Sequence, residues 1–163
     1  MTHIQIGDTT PRRQFDADGE QLAFDFTFPI FQDDDLDVYV DQAQMVLDTD
    51  YSVTGAGESA GGTVTFFTAP ANNTTVTLVR RLAIQRTTDF QESGELRSKV
   101  LNDELDYQTA ALQQVADDAS RGVRLHETDA ATDMVLPAKA DRADRTLGFD
   151  ANGAPVAGPS VSE

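Results

Sequence analysis

The chain of 163 residues carries 28 acidic and 12 basic side chains, and its formal net charge of −16 would repel nucleic acid and anionic membrane surfaces. Hydrophobic residues make up 39% of the sequence, enough for one packed domain, and no apolar run predicts a transmembrane helix or a secretory signal. Cysteine is absent and the two histidines, His3 and His126, are far apart, which excludes disulfides and disfavours a histidine-based site.

Residues 1–13 hold one short alternating fragment followed by polar turn residues, a composition typical of an arm. From residue 14 onwards, runs of alternating apolar and polar residues recur roughly every 8–12 residues, with turn residues between them. This spacing predicts a small antiparallel β-sandwich or flattened barrel within residues 14–97.

The strongest alternating run lies between residues 21 and 28, where large apolar side chains occupy every second position. Burial of each should contribute roughly 1.5–3 kcal/mol, so this strand should define the core. The Asp18-Gly19 pair just before it predicts a hairpin with the run that contains Phe15. The side chains expected on the core face are Leu22, Phe24, Phe26 and Phe28.

Further strands are predicted at residues 36–41, 45–47, 51–54, 63–68 and 75–79. The chain then enters a connector that reaches residue 97. Four apolar residues are expected to hold the connector against the sandwich: Leu82, Ile84, Phe90 and Leu96.

Charge is distributed unevenly along this domain. Residues 14–79 contain 12 acidic residues and neither lysine nor arginine, whereas cations are frequent in the stretch that follows. The acidic residues can simply form a well-solvated face. Alternatively, the arginines contact the acidic domain of a neighbouring copy or a docking partner, because the planar guanidinium suits carboxylates. The arginines proposed for such contacts are Arg80, Arg81, Arg86 and Arg97.

Residues 98–122 have an unbroken helical pattern. The spacing of one set of positions alternates between four and three residues, which is typical of the narrow seam of a coiled coil and predicts association with further copies of the chain. Gln108, the polar member, would fix the register inside the seam. An ordinary amphipathic helix lying on a sheet is the alternative. The seam positions are Leu101, Leu105, Gln108, Leu112, Val115 and Ala119.

Residues 123–163 are predicted to form a C-terminal linker followed by a short hairpin segment. A polar stretch precedes a short apolar anchor at residues 134–137, and Asn152-Gly153 indicates a tight turn between two extended pieces. The expected fold is therefore mostly β, with a sandwich, a coiled-coil helix and a C-terminal extended hairpin.

No catalytic constellation is evident, so we expect neither enzymatic activity nor a cofactor. Two acidic clusters, Asp16/Asp18/Glu20 and residues 33–35, partly resemble calcium loops, but neither fits the twelve-residue calcium loop, and solvation of turns explains them better. The glycine-rich loop at residues 55–62 lacks the lysine and the following helix of a phosphate-binding loop. Tryptophan is absent, and no aromatic-lined sugar cleft is suggested.

Several motifs occur in order between Phe15 and Val115: LAFDFTFPIF, DLDVYVD, DYSV and TVTFFTAPANNTTVTLVRR, then DFQ and LNDELDYQTAALQQV. This series resembles the N-terminal virion-anchoring domain of tail fibres and tailspikes of short-tailed bacteriophages. The closing LPAKADRADRTLGFDANGAPV is similar to segments that precede a fibre shaft. The resemblance implies a homotrimer in the virion tail whose threefold axis passes through the helix.

Two functions are considered. The first is a structural virion protein, a trimeric anchor or adaptor that binds phage tail body proteins and holds a fibre or spike, with a separate receptor-binding fibre protein as a further potential partner. The second is a free-standing oligomeric β-module that binds carbohydrates or cell surfaces. The core-directed aromatic residues favour the first. Because the sequence stops soon after the Asn-Gly pair, either a complete adaptor or the N-terminal part of a longer fibre fits.

Overall fold

The structure is a computed structural model that describes residues 4–86, 88–89, 97–126, 128–130 and 133–161. The chain forms two compact units, Met1–Ser120 and Arg121–Glu163. Within the described residues, the fold is mostly β with one long helix. The elements are β1 (Arg12–Asp16), β2 (Ala23–Phe26), a 3-10 helix (Asp33–Asp35), β3 (Leu36–Val40), β4 (Ala43–Gln44), β5 (Tyr51–Thr54), β6 (Gly62–Phe66), β7 (Thr75–Arg80), α1 (Ser98–Ser120), α2 (Lys139–Arg142), β8 (Arg145–Phe149) and β9 (Pro155–Ser160).

The first unit contains two antiparallel sheets, with strand orders β1-β7-β3-β4 and β2-β6-β5 in the described part of the chain. Side chains from both sheets enter one hydrophobic core, as expected for a small sandwich. The predicted mostly β fold with antiparallel sheets and one main helix is confirmed. The buried core residues are Ala17, Phe24, Phe26, Phe28, Ile30, Leu36, Val38, Tyr51, Val53, Val64, Phe66, Val76 and Leu78.

The predicted core strand is present but shorter than expected. Phe24, Phe26 and Phe28 are buried, and the rings of Phe24 and Phe66 meet edge to face with centroids 5.6 Å apart. Leu22, in contrast, is 42% exposed and precedes β2, which begins at Ala23. The prediction is therefore confirmed for the three phenylalanines and wrong for Leu22.

The turn at Asp18 is a corner between the two sheets, so the predicted hairpin is wrong. β1 pairs with β7, whereas β2 pairs with β6. The chain after β1 stays beside β7, since the Ala17 N–H donates to the Thr74 carbonyl at 2.8 Å. The Asp18 carboxylate accepts two backbone N–H groups, which lowers its pKa and turns the chain towards the other sheet. Phe15 and Phe24 consequently meet across the core, with ring centroids 5.5 Å apart.

The short strand predicted at residues 45–47 is absent, and the extended segment there is β4 (Ala43–Gln44). The Asp50 carboxylate accepts the Val46 N–H at 2.8 Å, and the Asp48 N–H donates to the Tyr51 carbonyl. These local bonds use backbone donors that a ladder would need, so the segment forms a turn.

The glycine-rich loop ends where β6 enters between β2 and β5. Gly61 has a positive φ of 89°, and a Cβ there would collide with the Phe26 carbonyl oxygen. A Cβ at Gly62 would collide with the carbonyl oxygen of Thr54. Glycine at these two positions therefore permits the central strand to lie close to both neighbours.

The second unit contains α2 and the antiparallel pair β8-β9. The Asp150 carboxylate accepts the N–H groups of Asn152 and Ala154 at 2.8 and 2.9 Å, and Gly153 has a φ of 79°. The hairpin predicted from Asn152-Gly153 is thus present. Among the described residues of both units, no helix is long and apolar enough to cross a membrane.

Candidate functional site

Within the first unit, helix α1 packs against the sandwich through a face that the coiled-coil pattern did not indicate. Tyr107, Ala110 and Ala111 are buried together with Leu82, in a cluster that Phe31 partly covers. The Phe31 and Tyr107 ring centroids are 5.1 Å apart. The helix therefore does lie on the domain, but its leucine positions are not the ones that make the contact.

Arg80, the last residue of β7, joins the helix to the sandwich. Its side chain is fully buried and donates to the carbonyls of Pro29 at 3.1 Å and Ala110 at 2.9 Å. It also donates to the side-chain oxygen of Gln113 at 2.9 Å, and its guanidinium lies 6.0 Å from the Phe28 ring centroid. One side chain thus holds a loop, a helix and the aromatic core in a fixed relation.

Burial changes the chemistry of the Arg80 guanidinium. Desolvation lowers its pKa to about 10, while the nearby charge of Asp35 acts in the opposite direction. Its Nε finds no acceptor among the described residues. A buried cation with incomplete hydrogen bonding is costly, so the bonds that Arg80 makes to Pro29, Ala110 and Gln113 must offset part of that cost.

Two further polar side chains of α1 bond to the chain that leaves β7. The Leu82 N–H donates to the Gln114 side-chain oxygen at 2.7 Å, and the Gln114 amide donates back to the Leu82 carbonyl at 3.4 Å. The Tyr107 hydroxyl donates to the Ala83 carbonyl at 2.6 Å. Burial, chiefly, raises the pKa of Tyr107, so the hydroxyl keeps its proton and remains a donor.

Charged pairs border this contact. Arg12 of β1 lies 3.3 Å from the carboxylate of Asp117, and both side chains are mostly buried. Arg81 lies 2.6 Å from Asp118 and 3.8 Å from Asp37, in a more exposed setting. These pairs favour one orientation of the helix on the sandwich. They contribute little to the free energy of folding where solvent screens the charges.

A neighbouring side of α1, centred about 120° around the helix from the buried face, carries an exposed apolar stripe, defined as Leu101, Leu105, Leu112, Val115 and Ala119. Leu105 and Leu112 are 56% and 69% exposed. Gln108, the sixth predicted seam residue, is half-buried, and its amide donates to the Glu104 side chain at 3.1 Å and more weakly to the Gln85 carbonyl. The helix ends at Ser120, two residues before the predicted end.

The structure assigns different surroundings to the four predicted docking arginines. Arg80 is buried within its own chain, so the prediction of a docking role is wrong for this residue. Arg81 pairs with acids of the same chain, as does Arg86, which lies 3.7 Å from Asp89. Arg97 is exposed immediately before α1.

Two of the four apolar residues predicted to hold the connector against the sandwich lie among the described residues. Leu82 is buried, as expected, but Ile84 is largely exposed, so it does not hold the connector against the sandwich. Phe90 and Leu96, the other two predicted contacts, lie outside the described residues.

The sandwich surface is acidic. None of the 12 acidic residues between residues 14 and 79 is buried, and this stretch has no lysine or arginine to neutralise them. Within the described residues, no group of three or more acidic or histidine side chains is arranged to hold a metal ion. The surface therefore presents a diffuse negative field.

The buried face of α1 was not predicted because its residues are small or polar. A spacing of three and four residues relates its members, but hydrophobicity alone ranks the leucine stripe above them. The pair of adjacent alanines beside Tyr107 was the available signal, since small residues permit close approach of a helix to a backbone. The buried residues are Glu104, Tyr107, Ala110, Ala111 and Gln114.

The fold and the exposed stripe define a class of protein module, a small β-domain with a packed helix that carries an exposed apolar surface. No protein-family model matches the chain. The chain is similar to the tail spike protein of Salmonella phage epsilon15, with 32% identity over 117 residues that cover 69% of this chain. It spans 11% of the length of that protein. The resemblance to tailspike domains is thereby confirmed, and the similarity indicates a component of the virion tail.

Proposed function

We propose that this protein is a structural component of the phage tail, a homotrimeric anchor or adaptor that attaches a fibre or spike to the tail body. The observation that carries the proposal is the apolar stripe of α1. Arg80 and Gln114 hold the other side of the helix against its own domain, so the stripe is directed outward and can meet identical stripes of two further copies.

The spacing of the stripe supports a parallel three-stranded coiled coil. Its positions alternate by four and three residues once Gln108 is included, the repeat that lets apolar side chains of neighbouring helices interdigitate. Several large apolar side chains exposed along one side of a helix are typical of an interaction site. Similarity to a tail spike protein supports a role in the tail.

The acidic sandwich is proposed to face the tail body. Its negative field would speed encounter with a basic surface and help fix the register, whereas apolar contacts would supply most of the affinity. The chain after α1 would then lead to the fibre or spike. We further propose that this chain catalyses no reaction, since the described threonine hydroxyls that bond to a carboxylate or an imidazole, Thr63 with Asp25 and Thr128 with His126, do so at the exposed surface.

The proposal is tested first by light scattering on the purified chain. A trimer of about three times 17.7 kDa is expected over a range of protein concentrations. A monomer at all concentrations would contradict the proposal.

A second test measures attachment. Purified full-length chain is added to phage particles that lack their spike, and binding is scored by sedimentation with the particles. Attachment of the trimer is expected. Binding of the chain to a glycan array without any binding to particles would favour the carbohydrate-binding alternative, and polysaccharide cleavage by the purified chain would overturn the non-catalytic assignment.

A further inference from the structure

The turn of the C-terminal hairpin places an asparagine directly before a glycine. Of the four asparagines in the sequence, Asn152 alone has a glycine after it. Glycine carries no side chain, so its backbone nitrogen is the least shielded nucleophile that can follow an asparagine. That nitrogen and the side-chain amide carbon belong to neighbouring residues, and their proximity favours ring closure between them. Asn152 is therefore the asparagine of this chain that is best placed to react with its own backbone.

Asn152 and Gly153 are open to solvent in the folded hairpin. Both residues are exposed. Apart from the chain neighbours of Gly153, no described atom lies within 4 Å of the position that a Cβ on this glycine would take. Water and dissolved base therefore reach the turn freely, and access does not limit a reaction there.

Asp150 restrains the pair through both its backbone and its carboxylate. The Gly153 N–H donates to the Asp150 carbonyl at 3.0 Å, and the carboxylate accepts the N–H groups of Asn152 at 2.8 Å and Ala154 at 2.9 Å. Ring closure requires the Gly153 nitrogen to lose its proton and to turn towards Cγ of Asn152. The first bond keeps that proton in place, and the other two hold the backbone on either side. The reaction therefore requires the turn to open.

The turn opens easily because the hairpin buries little apolar surface. Leu147 and Phe149 of β8 are 56% and 55% exposed, and Pro155 is the one buried residue among those described in the second unit. A two-stranded hairpin is marginally stable in water. Segments with few buried apolar contacts open locally at low free energy. The turn therefore repeatedly reaches conformations in which the bonds of Asp150 are broken.

We propose that Asn152 is a site of self-modification by deamidation, and that the bonds of Asp150 set its rate. The backbone nitrogen of Gly153 forms a bond to Cγ of Asn152, the bond from Cγ to the side-chain nitrogen breaks, and ammonia leaves with the proton that Gly153 gave up. Water then opens the resulting succinimide at either carbonyl, giving aspartate or isoaspartate. Isoaspartate adds a methylene group to the backbone of the turn, so the spacing that the carboxylate of Asp150 bridges is lost.

Incubation of the full-length chain in warm, mildly alkaline buffer tests the site. Peptides are mapped by mass spectrometry, with enzymatic detection of isoaspartate. Asn152 should be converted faster than the other three asparagines, and its conversion should accelerate in urea, where the turn is unfolded. Gly153→Ala should lose most of the conversion in urea, because a methyl group shields the nitrogen. Retention of Asn152 in urea would overturn the site, and equal rates in buffer and urea would overturn the control by the turn.

A matched pair of variants tests the role of Asp150. The carboxylate of Asp133 also accepts a backbone N–H, that of Val135 at 3.0 Å, but it lies in the second unit outside the hairpin. In buffer, Asp150→Ala should raise the conversion rate of Asn152 by roughly tenfold, towards the rate in urea, because two charge-assisted bonds are lost. Asp133→Ala should leave the rate unchanged. Equal effects of the two variants would contradict the inference, and slower conversion in Asp150→Ala would mean that the carboxylate assists the reaction as a base instead of restraining it.

Discussion

Of the two faces of α1, the less hydrophobic one is buried against the sandwich, whereas hydrophobicity alone would predict the reverse. The face that the protomer buries carries Tyr107, two alanines and Gln114, whereas the leucines of the same helix are exposed. Packing within the chain uses small residues and specific hydrogen bonds. The more hydrophobic face stays exposed on the single chain, and we propose that it contacts other copies. Hydrophobicity alone thus does not tell which neighbour a helix face contacts.

The largest effect is expected from charged substitutions in the exposed apolar stripe of α1. Leu105→Asp together with Leu112→Asp should convert the trimer completely to a 17.7 kDa monomer by light scattering, since buried unpaired carboxylates are strongly unfavourable. The circular dichroism signal of the β-sheets should persist, because the sandwich has its own core.

The control adds the same two charges beside the stripe. Asn102→Asp with Ser120→Asp places them at exposed positions, each the next residue after a stripe member and about 100° around the helix. This control should remain trimeric. If both double variants dissociate equally, added charge rather than the stripe is responsible.

The next effect concerns the protomer-facing side. Arg80→Met should lower the free energy of unfolding by about 3 kcal/mol, because two buried carbonyls and the partly buried Gln113 oxygen lose their donor. The neighbouring Arg81→Met removes a partly exposed ion pair and should cost about 0.5 kcal/mol or less. Urea unfolding at equal protein concentration compares the two. Similar losses would mean that the burial of Arg80 is not decisive.

The smallest effect is expected from the removal of a single hydroxyl group, that of Tyr107. Tyr107→Phe removes the bond to the Ala83 carbonyl and should cost about 1 kcal/mol at neutral pH. Tyr39→Phe is the control, since its longer bond to Asp37 lies in a less buried setting and should matter little. A larger loss from Tyr39→Phe would contradict this assignment.

The Tyr107 contribution should also depend on pH. Burial raises its folded pKa, whereas the unfolded side chain loses its proton near pH 10. Its stabilising contribution is therefore complete below about pH 10 and is lost as the pH rises through the folded pKa. The stability difference between wild type and Tyr107→Phe should shrink above about pH 10, and a constant difference would exclude this linkage.

The sequence predicted features that depend on local periodicity and turn chemistry. Alternation placed Phe24, Phe26 and Phe28 in the core, and Asn152-Gly153 marked the C-terminal hairpin. The Asp18-Gly19 turn was also located correctly. Its partner strand was not, because a turn fixes a local change of direction while pairing with β7 depends on residues far along the chain.

Of the candidate site, only the exposed apolar stripe of α1 could be predicted from the sequence. The stripe follows from the spacing of the leucines, but the buried face depends on backbone groups of Leu82 and Ala83 that Gln114 and Tyr107 reach through the fold. Arg80 was expected at the surface because buried arginines are rare. Nothing in the sequence around Arg80 shows that carbonyls from two separate segments converge on it.

Arg80 also determines how mechanical load would travel through the protein. It is the last residue of β7, which lies between β1 and β3, and its side chain bonds directly to α1. A pull on the helix would therefore reach the middle of the four-stranded sheet through this side chain, in parallel with the covalent chain. Tension applied to the helix would be shared by several strands before any one of them could peel away.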